Sequence, residues 1–146
     1  MLRVRDIMKR NVLVLSKDAT IKDALDLMIE NSAGSVVILD KEKIAGIITE
    51  RDILSKILNH NKSLDTKIEE VMTKNVITIS PDEKVEKAAE IMTENKIKKL
   101  PVVESDKLIG IITLTDIVAS GVKLEDEILK ELSKWFPVRK PTPVGG

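Results

Sequence analysis

The chain has 146 residues, 42% of them hydrophobic and 33% charged, with 24 Lys+Arg against 24 Asp+Glu and no cysteine. That length buries a real core in one ordinary domain, while the missing cysteines exclude disulfides and thiolate metal sites. The balanced charge gives no support to nucleic-acid binding, which draws its affinity from cations set against phosphates.

The opening, MLRVRDIMKR, lacks the apolar segment of a signal peptide. No apolar run reaches the roughly 18–20 residues that span a bilayer, so the expected compartment is the cytoplasm. Absence of glutamine beside abundant Lys, Glu and Ile matches the composition of thermophile proteins.

NVLVLS at 11–16 is β-branched and aliphatic and predicts a strand. Ile21, Ala24, Leu25 and Met28 then recur at helical spacing, one apolar stripe facing a core. SVVIL, the polar turn DKEK and IAGIIT predict a β-hairpin, and ERDILSKIL returns to helical periodicity. NHNKSLDTK, at 59–67, reads as a linker that holds the single histidine, His60.

The same order then repeats. A shift of 64 positions aligns the halves without a gap, setting Met72 on Met8, Asn75 on Asn11, Ser80 on Ser16, Met92 on Met28 and GIITLTD (110–116) on GIITERD (46–52). That is a duplication. NVITIS predicts the strand of the second copy, Ser80-Pro81-Asp82-Glu83 the start of its helix, Val85, Ala88, Ala89 and Met92 its stripe, and LPVVE and LIGIIT its hairpin. Met28 and Met92 are core residues. LTDIVASGV is the second copy's closing helix.

The fold expected is mixed α/β (α+β): two β-α-β-β-α repeats, 1–58 and 68–122, packed sheet to sheet about a pseudo-twofold axis, since neither copy buries enough surface alone. An amphipathic helix follows at 123–136, with Leu124, Ile128, Leu129, Leu132 and Trp135 on one side. Trp135-Phe136 either closes the module's own core or belongs to a dimer interface, with the interface or tail docking preferred. The proline- and glycine-rich tail 137–146 reads as irregular and flexible.

The ordered motifs RDIM/EEVM, hhPVV and GIhTxxD resemble the CBS domain, which usually occurs in tandem pairs called Bateman modules. The resemblance covers about residues 1–122 and implies a stand-alone regulatory module, not an enzyme. It also implies a homodimer that binds AMP, ADP, ATP or S-adenosylmethionine between the repeats and signals occupancy to a protein partner. No cofactor is required. Carried over residue by residue, one cleft takes Asp116 to ribose and Thr113 to sugar or phosphate, with adenine near Met8, Leu13, Ala33 and Gly34. The other takes Asp52 and Thr49, with the base near Met72, Ile77, Ile97 and Lys98. Lys98, Lys99 and Arg51 are candidate phosphate contacts. Lysines 98 and 99 align with Gly34 and Ser35, and Arg51 with Thr115, so the clefts are unequal and the Asp52 cleft is the first choice for phosphate.

Simpler readings stand beside these. Thr-x-x-Asp is also a capping box, though aspartate is the shorter acid for that reach. The Lys98-Lys99 pair also fits a solvated surface. Gly46 and Gly110, inside apolar strands, fit close packing against the other repeat as well as a ligand. A purely structural dimerisation module with vestigial clefts is the alternative function. No nucleophile–base pair, metal-ligand cluster or phosphate-cradling glycine loop appears in the sequence.

Overall fold

The computed structural model describes residues 1–135. Phe136 and the expected irregular tail at 137–146 lie outside those residues. A four-residue helix, α1 (Val4–Ile7), precedes strand β1 (Val14–Ser16), helix α2 (Ile21–Asn31), the hairpin β2 (Ser35–Asp40) and β3 (Lys43–Thr49), and helix α3 (Glu50–His60). In the second repeat a 3₁₀ turn (Ile68–Glu70) precedes α4 (Val85–Asn95), the hairpin β4 (Lys99–Glu104) and β5 (Lys107–Thr113), and α5 (Leu114–Ala119). Helix α6 (Asp126–Trp135) closes the chain as described.

The duplication extends to irregularities. Both hairpins are antiparallel with a register shift at equivalent places, Ile38/Leu39 and Val102/Val103. The equivalent helices α2 and α4 both end on a left-handed residue, Ser32 (φ 50°) and Lys96 (φ 53°), whose N–H turns back to helix carbonyls.

One expected strand is absent. NVLVLS yields β1, parallel to β2, but NVITIS pairs only at Ile79, bridged to Val102. Two prolines account for the loss. In repeat 1 the Val37 N–H donates to the Leu13 carbonyl at 2.9 Å and the Lys17 N–H to the Leu39 carbonyl at 3.1 Å. The counterparts of Val37 and Lys17 are Pro101 and Pro81, which have no N–H to give.

Three boundaries also move. The helix expected from Ser80 begins at Val85, capped by Lys84 without a side-chain bond. Residues 81 and 83 form a turn whose carbonyls accept from Arg5 and Val4. α3 runs to His60, so the first two residues of the expected linker are helical. α6 starts at Asp126 rather than 123, and Leu129 is 47% exposed, so it leaves the buried stripe formed by Leu124, Ile128, Leu132 and Trp135.

The repeats are completed by each other. Val4 and Met8 are buried in the second repeat's core, with Met92, Leu100 and Ile117. Ile68 and Val71 are buried in the first repeat's core, with Ile21, Met28 and Ile48. Backbone bonds fix this exchange: Lys9 and Ile111 trade two at 2.9 Å, while Thr73 and Ile47 trade two at 2.9 and 3.0 Å. Arg5 adds ion pairs to Asp82 (2.7 Å) and Glu104 (2.8 Å) in the second repeat. β3 and β5 meet across the boundary.

Candidate ligand clefts between the repeats

The repeated threonines and aspartates stand where β3 and β5 run into α3 and α5. Thr49 accepts from the Asp52 N–H at 3.2 Å, and the Asp52 carboxylate accepts from the Thr49 N–H and hydroxyl, both at 3.0 Å. Thr113 and Asp116 repeat the reciprocal backbone bonds at 3.1 and 3.0 Å. Both segments are therefore capping boxes, and the shorter acid reaches far enough. Each cap occupies one carboxylate oxygen, Oδ2. The second oxygen of each remains for another partner.

That second oxygen separates the two sites. Asp116 Oδ1 lies 3.6 Å from Lys9 Nζ, the Asp116 side chain being 11% exposed. Lys9 reaches it because the first repeat's opening segment lies along β5. The counterpart of Lys9 is Thr73, so nothing cationic stands in that place for Asp52.

Lys99 lies near the same boundary. A Cβ built on Gly34 would sit 3.4 Å from the Lys99 ammonium and 3.2 Å from a Glu50 carboxylate oxygen. Lys99 is half-buried, which lowers its pKa. Glu50 opposes that shift, and Lys9 adds to it by like-charge repulsion. Among the described residues no carboxylate comes within 4.0 Å of the Lys99 ammonium. In the other repeat the counterparts of Lys99 and Glu50 are Ser35 and the buried Leu114.

The remaining candidates divide. Met8 and Met72 line the exchange: their sulfurs would lie 2.7 and 2.5 Å from Cβ atoms on Gly110 and Gly46. Those two glycines thus serve close packing against the other repeat's opening segment. Leu13 packs on the first core and Ile97 on the second, whereas Ile77, the counterpart of Leu13, is 37% exposed. Ala33 borders an apolar groove between α2 and α3. Lys98, grouped with Asp52 from sequence, instead holds its ammonium 5.9 Å from the Trp135 ring centroid. Trp135 itself packs on the second core. Arg51 is exposed at the first turn of α3.

Lys9 and Glu50 were not among the sequence candidates. Glu50 was visible as one of two positions that vary within the GIITxxD repeat. Lys9 carried no signal, because its place depends on the exchange. Among the described residues no three His, Cys, Asp or Glu side chains cluster as metal ligands would.

The CBS-domain family model matches residues 4–59 and 68–122. A protein of Methanopyrus kandleri, MK0525, is 36% identical over 135 residues, 90% of this chain and 69% of its own. The mitochondrial CBS domain-containing protein CBSX3 of Arabidopsis thaliana is 35% identical over 125 residues, and the match spans 82% of this chain but 61% of that protein. For MJ1225 of Methanocaldococcus jannaschii the match spans 41% of its length. Among solved structures, the CBS domain pair of MJ0100 in complex with 5-methylthioadenosine and S-adenosyl-L-methionine aligns with TM-score 0.76 at 34% identity, covering 83% of this chain and all of that one. CBSX2 in complex with AMP aligns with TM-score 0.74 at 26% identity, covering 83% and 96%. With both repeats matched and the fold shared, the chain belongs to the CBS-domain family and is a tandem pair of CBS domains.

Proposed function

We propose that this pair is a regulatory sensor that takes an adenosyl ligand (AMP, ADP, ATP or S-adenosylmethionine) between its repeats, passes occupancy to a protein partner, and works as a homodimer. The observation that carries the reading is the Asp116 carboxylate, with one oxygen committed to the cap and the other beside Lys9. A carboxylate oxygen accepts ribose hydroxyls in charge-assisted bonds, and Lys9 and Lys99 supply point charge for a phosphate. Lys99 is half-buried and, among the described residues, without a close carboxylate, so an anion would relieve its desolvation. These neighbours favour the Asp116 cleft for the phosphate, reversing the preference drawn from Lys98 and Arg51. Complexes of related CBS pairs with AMP and with S-adenosylmethionine support the ligand class.

Thermal unfolding with AMP, ADP, ATP, S-adenosylmethionine and NAD tests the reading. A ligand at a hundredfold excess over its Kd adds about 2.7 kcal/mol to the folded state. No shift with any of them at millimolar concentration rejects it. The caps themselves favour a second reading, a structural module with vestigial clefts, because the aspartates already have a folding role. In that case Asp52→Ala and Asp116→Ala lower stability and alter no binding.

A further inference from the structure

Glu50 belongs by sequence to the segment that carries Asp52, yet its side chain ends at the other cleft. Its N–H donates to the Gly34 carbonyl at 3.1 Å, which clamps the first turn of α3 onto Gly34. A Glu50 carboxylate oxygen and, from the facing repeat, the Lys99 ammonium then come within 3.2 and 3.4 Å of the point where a Gly34 Cβ would stand. The two opposite charges do not close on each other. Among the described residues, neither Glu50 nor Lys99 has an ion-pair partner within 4.0 Å. An acid in the first turn of a helix is favourable on its own account. That preference acts on any acid there, and it does not explain a carboxylate that reaches Gly34 and stops short of Lys99.

The charge balance decides what this arrangement admits. Lys9 stands beside Asp116, and Lys99 feels both Glu50 and Lys9, so two cations and two carboxylates share the place and cancel. One phosphate brings roughly one and a half to two negative charges, which Lys99 and Lys9 can answer. Phosphates in a chain are joined through a single bridging oxygen, so a second one following a phosphate held by Lys99 is brought up to the Glu50 carboxylate. Like charges that close, at a half-buried place, repel, and an uncompensated charge of this kind is how a site turns away the wrong ligand. We propose that Glu50 is a charge filter: it restricts the Asp116 cleft to adenosyl ligands with at most one phosphate and disfavours ADP and ATP. The proposal rests on the ligand reading above and narrows it. It applies to one cleft only, because the counterparts of Glu50, Lys99 and Lys9 are the buried Leu114, Ser35 and Thr73.

Calorimetric titration with AMP, ATP and S-adenosylmethionine tests it, in buffer free of divalent cations so that the phosphate charge is not masked. Every protein carries Asp52→Asn, which weakens the other cleft's hold on ribose and keeps an acceptor for its cap. The readout is the ratio of the ATP to the AMP dissociation constant, which a general loss of stability does not move. With Glu50 in place the ratio is expected to be about tenfold or more. Glu50→Gln should bring it close to one, chiefly by tightening ATP, while Glu50→Asp, which keeps the charge, should retain most of the discrimination. Added salt should narrow the ratio with Glu50 present and leave it nearly constant in Glu50→Gln. ATP bound as tightly as AMP with Glu50 present, or a ratio that Glu50→Gln leaves unchanged, overturns the filter and spares the ligand reading. Binding of none of the three ligands rejects the ligand reading and the filter with it.

Discussion

Lys9 Nζ stands 3.6 Å from Asp116 Oδ1, across the boundary between the repeats. Lys9 is two-thirds exposed, so the pair contributes little to stability, within about 1 kcal/mol. Its weight should fall on binding. Lys9→Met is expected to leave the unfolding midpoint nearly unchanged and to weaken AMP by about tenfold, the loss of one charge-assisted contact of roughly 1.5 kcal/mol. Calorimetric titration reads this directly. Thr73→Lys, which gives Asp52 the missing cation, is expected to strengthen the second site.

Gly110→Ala and Gly46→Ala should be costly. The new Cβ would meet backbone carbonyls of Lys9 and Thr73 at 2.8 Å, besides the methionine sulfurs. Those carbonyls are held in paired bridges and cannot yield without opening the exchange. The expected loss is about 1–3 kcal/mol by urea denaturation. Gly34→Ala is the contrast: its nearest atoms are the ends of Glu50 and Lys99, at 3.2 and 3.4 Å, which can shift, so stability should hold.

Capping and binding by the aspartates separate with two substitutions. Asp116→Ala removes a cap acceptor and should cost about 1 kcal/mol. Asp116→Asn keeps a carbonyl oxygen for the Thr113 N–H and should recover most of that stability. The amide cannot replace the charge beside Lys9, so nucleotide affinity should fall in both variants. Equal affinity in wild type and Asp116→Asn would remove the carboxylate from the ligand's contacts.

Lys99 sets a pH dependence of definite sign. Burial, the larger cause, lowers its folded pKa below the ordinary 10.5. A depressed lysine is a penalty on the folded state, present in full below the folded pKa and relieved as pH rises toward 10.5. Lys99→Met should therefore raise the melting temperature at neutral pH, and the gain should shrink in alkaline buffer. The same variant should bind phosphate-bearing ligands less well. A gain that persists unchanged at alkaline pH would point to packing rather than charge.

The duplication, the helical stripes, the hairpins and the capping threonines were all legible in the sequence, because each depends on local periodicity or on self-comparison. The loss of a strand at NVITIS was not read, although its cause lay in view. Pro81 and Pro101 occupy the positions whose N–H groups complete the ladder in the first repeat, and only the pairing partners reveal what is lost. The surroundings of the candidate cations were hidden for a different reason. Lys98 and Lys99 are adjacent in sequence, yet one goes to Trp135 and the other to Gly34. Lys98 lies just before β4 and Lys99 begins it, and the destination of each depends on what packs there.

The exchange of opening segments puts the unit that was copied out of phase with the unit that packs. Val4 and Met8 complete a body whose other members begin with Ile79. A chain ended after His60 would therefore keep a segment with nowhere to dock and lack the one that seals its own core. Neither half is a self-sufficient folding nucleus, and closure must wait for contacts between residues as distant in sequence as Lys9 and Ile111. Loops of that length slow folding, so refolding is expected as one late, concerted step in which both halves are secured together.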